Sequence, residues 1–176
     1  LMSPHTPLHG LVCATHTPFH DDGSLNLDPV ESQAAHLLKN GVTTAFIGGS
    51  TGESASLALT ERLALADRWF AVTRGTPLRI VVHVGANCLQ DARALAAQAE
   101  KLGASAISAL APSYFKPRST AVLIDTCATI ASAAPNTPFY YYDIPALTGI
   151  SLSPEEFLAE APARIPNLAG IKYTNA

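Results

Sequence analysis

A lysine closes a short apolar segment, Gly170-Ile171-Lys172-Tyr173-Thr174, near the end of the chain. A lysine amine can attack a carbonyl carbon and form an imine if it is uncharged when it attacks. In water the side chain is protonated at neutral pH, with a pKa of about 10.4. Burial in an apolar mouth disfavours the ammonium form and frees the lone pair. The ordinary alternative is a lysine that ends a strand and reaches solvent, as most lysines do.

A second chemical segment is Gly48-Gly49-Ser50-Thr51-Gly52-Glu53. Its glycines let backbone approach a ligand closely, and its N–H groups and two hydroxyls suit a carboxylate or phosphate. The Gly-Lys-Ser/Thr ending of a Walker loop is absent. A plain glycine turn is the alternative. Tyr140-Tyr141-Tyr142-Asp143-Ile144-Pro145 is a third. Strand alternation sends Tyr140 and Tyr142 to one face and Tyr141 to the other. A phenol on a catalytic face can relay a proton, whereas Tyr141 is read as packing and Asp143 equally as a loop cap or a site residue. Tyr114, in Ala111-Pro112-Ser113-Tyr114-Phe115-Lys116-Pro117, is placed to reach the site or a neighbouring subunit, or to be an ordinary loop aromatic.

The histidines at 5, 9, 16, 20, 36 and 83 are read as making no ligand spacing, so no metal site is expected. His83 lies within a strand and reads as a satisfied core histidine. Ser50 has no evident histidine–acid partner, although such triads are spatial. Cys13, Cys88 and Cys127 fit no zinc or disulfide pattern, so reduced thiols in a cytoplasm are expected.

The elements that must position these residues alternate. Leu11–Ala14, Thr44–Ile47, Ile80–Val84, Ala106–Leu110, Phe139–Tyr142 and Leu168–Lys172 read as six short strands. Between them lie helical stretches. The first opens at Asp28-Pro29, with aspartate as N-cap, and ends at Gly41. The others span about 60–74, 89–102 and 120–134, and the last starts at the capping-box pattern Ser153-Pro154-Glu155-Glu156. Strands alternating with helices imply parallel βαβ units. An open doubly wound sheet and a (β/α)8 barrel compete. The first βα loop lacks G-x-G-x-x-G, and the candidate residues follow strands two, four, five and six. Those positions converge on one face of a barrel, which favours the barrel.

The chain has 176 residues, a formal net charge of −3 and 14% charged residues, against about 25% in typical soluble domains. Much of the surface is therefore expected inside or under another subunit. The charge leaves no footprint for nucleic acid, and no apolar run reaches the ~18 residues of a membrane span. Leu1–Gly10 carries no export signal. Leu1 precedes Met2, which fits an unusual start codon or a partial polypeptide. A complete barrel takes roughly 250 residues, so residues 1–176 are expected to form one partial domain of six βα units. The remaining barrel and any helical tail would lie beyond it, leaving the first and sixth strands as edges open to pairing.

Taken in order, Gly-Gly-Ser-Thr-Gly-Glu at 48–53, Tyr-Asp-Ile-Pro at 142–145, Thr148-Gly149 and Gly-Ile-Lys at 170–172 resemble one family across essentially the whole chain. It is the pyruvate-dependent class I aldolases, which include N-acetylneuraminate lyase and dihydrodipicolinate synthase. The resemblance implies a (β/α)8 barrel with a helical extension, assembled as a homotetramer. It makes Lys172 the Schiff-base lysine and Tyr142 the proton-relaying tyrosine. Ser50, Thr51 and Gly52 would hold the pyruvate carboxylate, with Thr51 orienting the phenol. Tyr114 would support the site and Thr174 would face the substrate. No cofactor beyond the covalent imine is implied, and the partner is a small 2-keto acid or sugar acid.

Leu147 stands where the synthases carry an arginine, and Tyr173 where they commonly carry a glutamate. Both favour the lyase branch. Asp143, where animal-type lyases tend to have histidine, bears on the sugar's polyol end. The rival expectations are 4-hydroxy-tetrahydrodipicolinate synthase or another 2-keto-3-deoxy sugar acid aldolase. From a different class, an inactive fragment or a non-catalytic carboxylate-binding module also fits.

Overall fold

The computed structural model describes residues 8–175. His5, the Leu1–Met2 start and Ala176 lie outside the described residues. Strands β1 (Val12–Ala14), β2 (Thr44–Ile47), β3 (Arg79–His83), β4 (Ala106–Leu110), β5 (Phe139–Asp143) and β6 (Leu168–Tyr173) alternate with α1 (Val30–Lys39), α2 (Leu59–Thr73), α3 (Leu89–Leu102), α4 (Thr120–Ala131), the four-residue α5 (Pro145–Thr148) and α6 (Pro154–Glu160). All five strand pairings are parallel, and the spatial order is the chain order, β1 to β6. A doubly wound sheet reverses its order at a switch point. This sheet does not, so it is a partial (β/α)8 barrel with β1 and β6 as its edges.

The strands are apolar on both faces because helices cover one side and the barrel interior the other. Ile47, Val82, Ile107, Phe139 and Tyr141 join the large core under the helices, whereas Phe46, Val81, Ala106 and Tyr142 form a separate inner cluster. The helices follow the same logic. In α3, Ala92, Leu95, Ala96 and Ala99 recur at helical spacing and are buried. Covering a side chain such as Leu95 contributes roughly 1.5–3 kcal/mol. Gly103 (φ +81°) then ends the helix, with the Ala104 N–H donating back to the Ala99 carbonyl, a Schellman closure that left-handed backbone permits.

Three boundaries differ from expectation. Asp28 does not cap α1. The Asn26 side chain accepts the Asp28 N–H (3.1 Å), which keeps Asp28 in a turn, and Pro29 takes the cap position without a side-chain bond. Helix α4 stops at Ala131, where the chain tightens through Ala133 N–H to the Ile130 carbonyl and Ala134 N–H to the Ala131 carbonyl. Ser153 does cap α6, accepting the Glu156 N–H at 3.1 Å. The Glu156 carboxylate does not complete the capping box, because it accepts the Thr120 hydroxyl (2.7 Å) and ties α6 to α4.

Candidate active site

The loop after β2 folds back at once. Gly48 takes a left-handed φ of +61°, and Glu53, at +54°, is the non-glycine residue that shares this region among those described. A Cβ at Gly49 would lie 2.4 Å from the Phe46 ring, so only glycine lets the chain pass there. The loop closes through Glu53 N–H to the Ser50 carbonyl and Ser54 N–H to the Gly49 carbonyl. From outside, the buried Thr17 hydroxyl donates to the Gly52 carbonyl at 2.7 Å. The N–H groups of Ser50 and Thr51 have no backbone acceptor among the described residues.

Register brings the remaining pieces to the same end of the sheet. Tyr142 on β5 pairs with Lys172 on β6 and with Leu110 on β4. The Lys172 Nζ lies 3.7 Å from the centroid of the Tyr142 ring and 5.3 Å from that of Phe46. Aromatic faces attract a cationic amine, so these contacts hold the half-buried side chain against the barrel wall. Tyr142 is 5% exposed, and its phenol donates to Ser50 Oγ at 3.4 Å. Lysine amine, phenol and serine hydroxyl thus form one chain of contacts on the inner face.

Other expected residues are placed differently. Thr51 is exposed, and the phenol it was expected to orient is taken by Ser50. Gly52 is buried and its carbonyl is already used by Thr17. Thr174 is exposed and donates its hydroxyl to the Asp143 carbonyl at 2.7 Å, where its N–H also donates. That contact caps the end of β6 rather than aiming the hydroxyl at a substrate. Asp143 alternates with Tyr142, so its side chain turns to the helix side beside Tyr141. Burial raises its carboxyl and the Tyr141 phenol's hydrogen bond opposes this. Its carboxyl is thus turned away from Lys172 and the inner face. Burial, with Asp143 adding to it, pushes the Tyr141 phenol up, and its ring packs on Phe157 at 4.7 Å between centroids. Tyr114 is 79% exposed and packs edge-on against Phe115, outside the site formed by this chain.

Contrary to the expectation of no ligand spacing, histidines four residues apart occur at His16 and His20. Pro18 lies between them and the segment is not helical, so the spacing does not bring them to one face. His5 and His9 are also four apart, and His5 lies outside the described residues. No group of three His, Cys, Asp or Glu among the described residues could hold an ion.

Phe46 was not singled out in the sequence, and His83, a satisfied core histidine as expected, also borders this cluster. Both lie on inward positions of their strands, a signal that alternation alone carries. Their rings surround Tyr142: Phe46 at 5.7 Å and 83°, His83 at 5.9 Å and 86°. His83 is fully buried. Its Nδ1 is 2.8 Å from the Gly48 carbonyl and its Nε2 accepts the Leu110 N–H at 3.4 Å. The ring is therefore neutral with its proton on Nδ1. Burial first, then the charge of Arg62, hold it down to about 3. Arg62 donates to the carbonyls of His83 (2.8 Å) and Gly85 (2.9 Å). Its contact with His83 Nδ1 is no hydrogen bond, because that nitrogen already donates to Gly48.

This depressed His83 value sets an acid limit on stability. Below pH 6.5 the unfolded chain protonates His83 and the folded chain does not until about pH 3. Stability is thus complete above pH 6.5 and falls as pH drops, by up to about 1.4 kcal/mol per pH unit. The other described histidines are exposed. Urea titrations at pH 7, 6 and 5 are expected to show the decline in wild type and a flatter profile in His83→Asn.

Two cavities open on either side of the strands that carry these residues. The one holding Lys172 measures about 200 Å³ and is lined by Ala14, Phe46, Ser108 and Tyr140 inside the barrel. A larger one, about 560 Å³, lies outside the β2, β3 and β4 loops and is bordered by Ser50, Arg62, Asn87 and Asp91. The smaller space holds Lys172, whereas Ser50 borders the larger one.

Comparison with known proteins places this geometry. The chain is 39% identical over 175 residues to N-acetylneuraminate lyase of Gallus gallus, covering 99% of this chain and 57% of that protein. It is 41% identical over 169 residues to N-acetylneuraminate lyase A of Xenopus laevis, covering 96% and 55%. It superposes on the Proteus mirabilis N-acetylneuraminate lyase with a TM-score of 0.93 at 39% identity, over 97% of this chain and 57% of that one. The chain thus spans little more than half the length of the relatives it matches. The profile of the dihydrodipicolinate synthetase family matches residues 7–176, so with six parallel strands in chain order and the lysine on the sixth, the chain belongs to that family.

Proposed function

We propose that this chain supplies the first six βα units of a (β/α)8 lyase that cleaves N-acetylneuraminate to pyruvate and N-acetylmannosamine through an imine on Lys172. The observation that carries the reading is the contact chain Lys172–Tyr142–Ser50, with Nζ 3.7 Å from the phenol ring and the phenol on the serine hydroxyl. The lyases named among the relatives support the substrate. So does Leu147, an apolar residue where a dicarboxylate substrate would call for an arginine.

In this mechanism the substrate carboxylate is held by the Ser50 and Thr51 N–H groups and hydroxyls. Lys172 Nζ attacks the C2 ketone of the open-chain sugar acid, and loss of water gives the imine. Once protonated, the imine is the electron sink, so the chemistry calls for no metal or organic cofactor. The C4 hydroxyl passes its proton to the Tyr142 oxygen as the phenol hands its own proton to the substrate carboxylate. The C3–C4 electrons flow into the imine, the bond breaks, and N-acetylmannosamine leaves. The remaining enamine is protonated at C3, and hydrolysis frees pyruvate and the lysine. A homotetramer would cover Tyr114 and Phe115, which this chain leaves 79% and 86% exposed.

A substrate panel followed by pyruvate release, run on the protein with its complete barrel, tests the reading. N-acetylneuraminate is expected to exceed 2-keto-3-deoxygluconate by about tenfold or more in kcat/KM, within what pocket contacts supply. Release from 2-keto-3-deoxygluconate alone would overturn it.

A further inference from the structure

We infer that His83 is a positioning residue of this site: its imidazole ties the Gly48 carbonyl to β4 and braces the Tyr142 ring, which sets where the phenol meets Ser50. The inference rests on the lyase reading of Lys172 and Tyr142.

The ring touches three elements at once. Toward the β2 loop, Nδ1–H donates to Gly48, two residues before Ser50. Toward β4, Nε2 accepts the Leu110 N–H, and Leu110 is the register partner of Tyr142. Its plane stands at 86° to the Tyr142 ring and its centroid is 6.2 Å from that of Phe46. The surroundings are built to seat it. A Cβ at Gly85 would fall 2.9 Å from His83 Nε2 and 2.8 Å from Leu110 N, so Gly85 is empty of side chain where the imidazole needs room. Arg62 locks the backbone on both sides of Val84 through the His83 and Gly85 carbonyls.

Packing alone does not call for this arrangement. An apolar side chain would fill the same space but leave the Gly48 carbonyl and the Leu110 N–H without partners. The charged and titratable groups around the ring are Arg62, Lys172 and the Tyr142 phenol. Two of these are basic, and a protonated ring would also lose its acceptor for Leu110. The ring is thus a fixed-tautomer strut rather than a proton carrier. Its purpose is distance: the Ser50–Tyr142 contact is already long at 3.4 Å, and loss of the Gly48 tether lets Ser50 drift from the phenol that must move the C4 proton.

The test compares side chains that keep different halves of the imidazole. His83→Asn places an amide N–H near the Nδ1 position and keeps the tether to Gly48. His83→Leu keeps volume and removes it. In the complete-barrel protein, His83→Asn is expected to stay within about fivefold of wild-type kcat. His83→Leu is expected to lose about 30-fold or more in kcat with KM within about threefold, the pattern of a misplaced reacting group. If His83→Leu does not fold, His83→Gln, whose amide reaches toward Leu110 rather than Gly48, carries the same expectation. A folded His83→Leu or His83→Gln with wild-type kcat overturns the inference, as does an equal loss in His83→Asn.

Two readouts separate this from the lyase reading. Pyruvate with borohydride should still modify Lys172 in every variant, and failure to do so in wild type sinks the lyase reading instead. Independently of activity, 15N spectra should show His83 as a neutral Nδ1–H tautomer that does not titrate between pH 5 and 8. A titrating ring or an Nε2–H tautomer overturns the strut.

Discussion

Lys172→Met, made in the complete-barrel protein, is expected to lower pyruvate release from N-acetylneuraminate by about 10⁴-fold or more, the scale on which removal of a covalent nucleophile is felt. Methionine suits the comparison because it keeps the length of the side chain and remains apolar. Its thioether rests well against aromatic edges, so the wall formed by Tyr142 and Phe46 keeps its cover. The melting temperature should move by only a few degrees, and the activity loss can then be read as loss of the amine. The companion measurement is mass spectrometry after treatment with pyruvate and borohydride. Wild type should gain one reduced three-carbon unit on Lys172, and the variant none. Addition at Lys39, Lys101 or Lys116 in wild type would contradict the assignment, because Lys39 and Lys101 lie on the outer helices and Lys116 is exposed in the loop after β4. Retained turnover in the variant would remove imine chemistry altogether.

The elements were legible where local chemistry and tertiary demand agree. Strand β3 reads Arg-Ile-Val-Val-His and is buried on both faces, as a parallel strand must be. Gly103 could be read as a helix end because the left-handed turn it makes needs no tertiary partner. Asp28 misled because capping competes with other local bonds. The Asn26 side chain reaches the Asp28 N–H first, and nothing in the residue types ranks the two. Helix α5 spans only four residues, Pro145–Thr148, too short to show a helical period.

The site was half legible for a related reason. Alternation along β5 puts Tyr142 inward and Asp143 outward once the inner face is known. It does not say which hydroxyl of a neighbouring loop the phenol will meet. Ser50 rather than Thr51 receives it because the loop is pinned at Gly48 by His83 and at Gly52 by Thr17. Those contacts span 35 residues in each case. Thr174 is the converse case. It follows Lys172 at the spacing that suggests a substrate contact, yet the Asp143 carbonyl at the end of β5 takes both its N–H and its hydroxyl.

The sharpest separation of roles comes from Tyr142→Phe. Phenylalanine keeps the ring on which Lys172 rests and the edge contacts with Phe46 and His83. Only the oxygen goes, and with it the single 3.4 Å bond to Ser50. So long a bond contributes on the order of 1 kcal/mol or less, and the fold should scarcely register the change. The effect belongs to proton transfer. If the phenol takes the C4 proton, kcat should fall by about 10²–10⁴-fold, while KM, set by the carboxylate loop, changes little. Borohydride trapping of pyruvate on Lys172 should persist, because the amine and its aromatic seat are intact. That pattern, a trapped imine without cleavage, distinguishes a missing base from a missing nucleophile. Unchanged kcat would instead place the base elsewhere, on the substrate carboxylate or on a residue supplied beyond these six strands, and would leave the phenol as no more than a platform for the lysine.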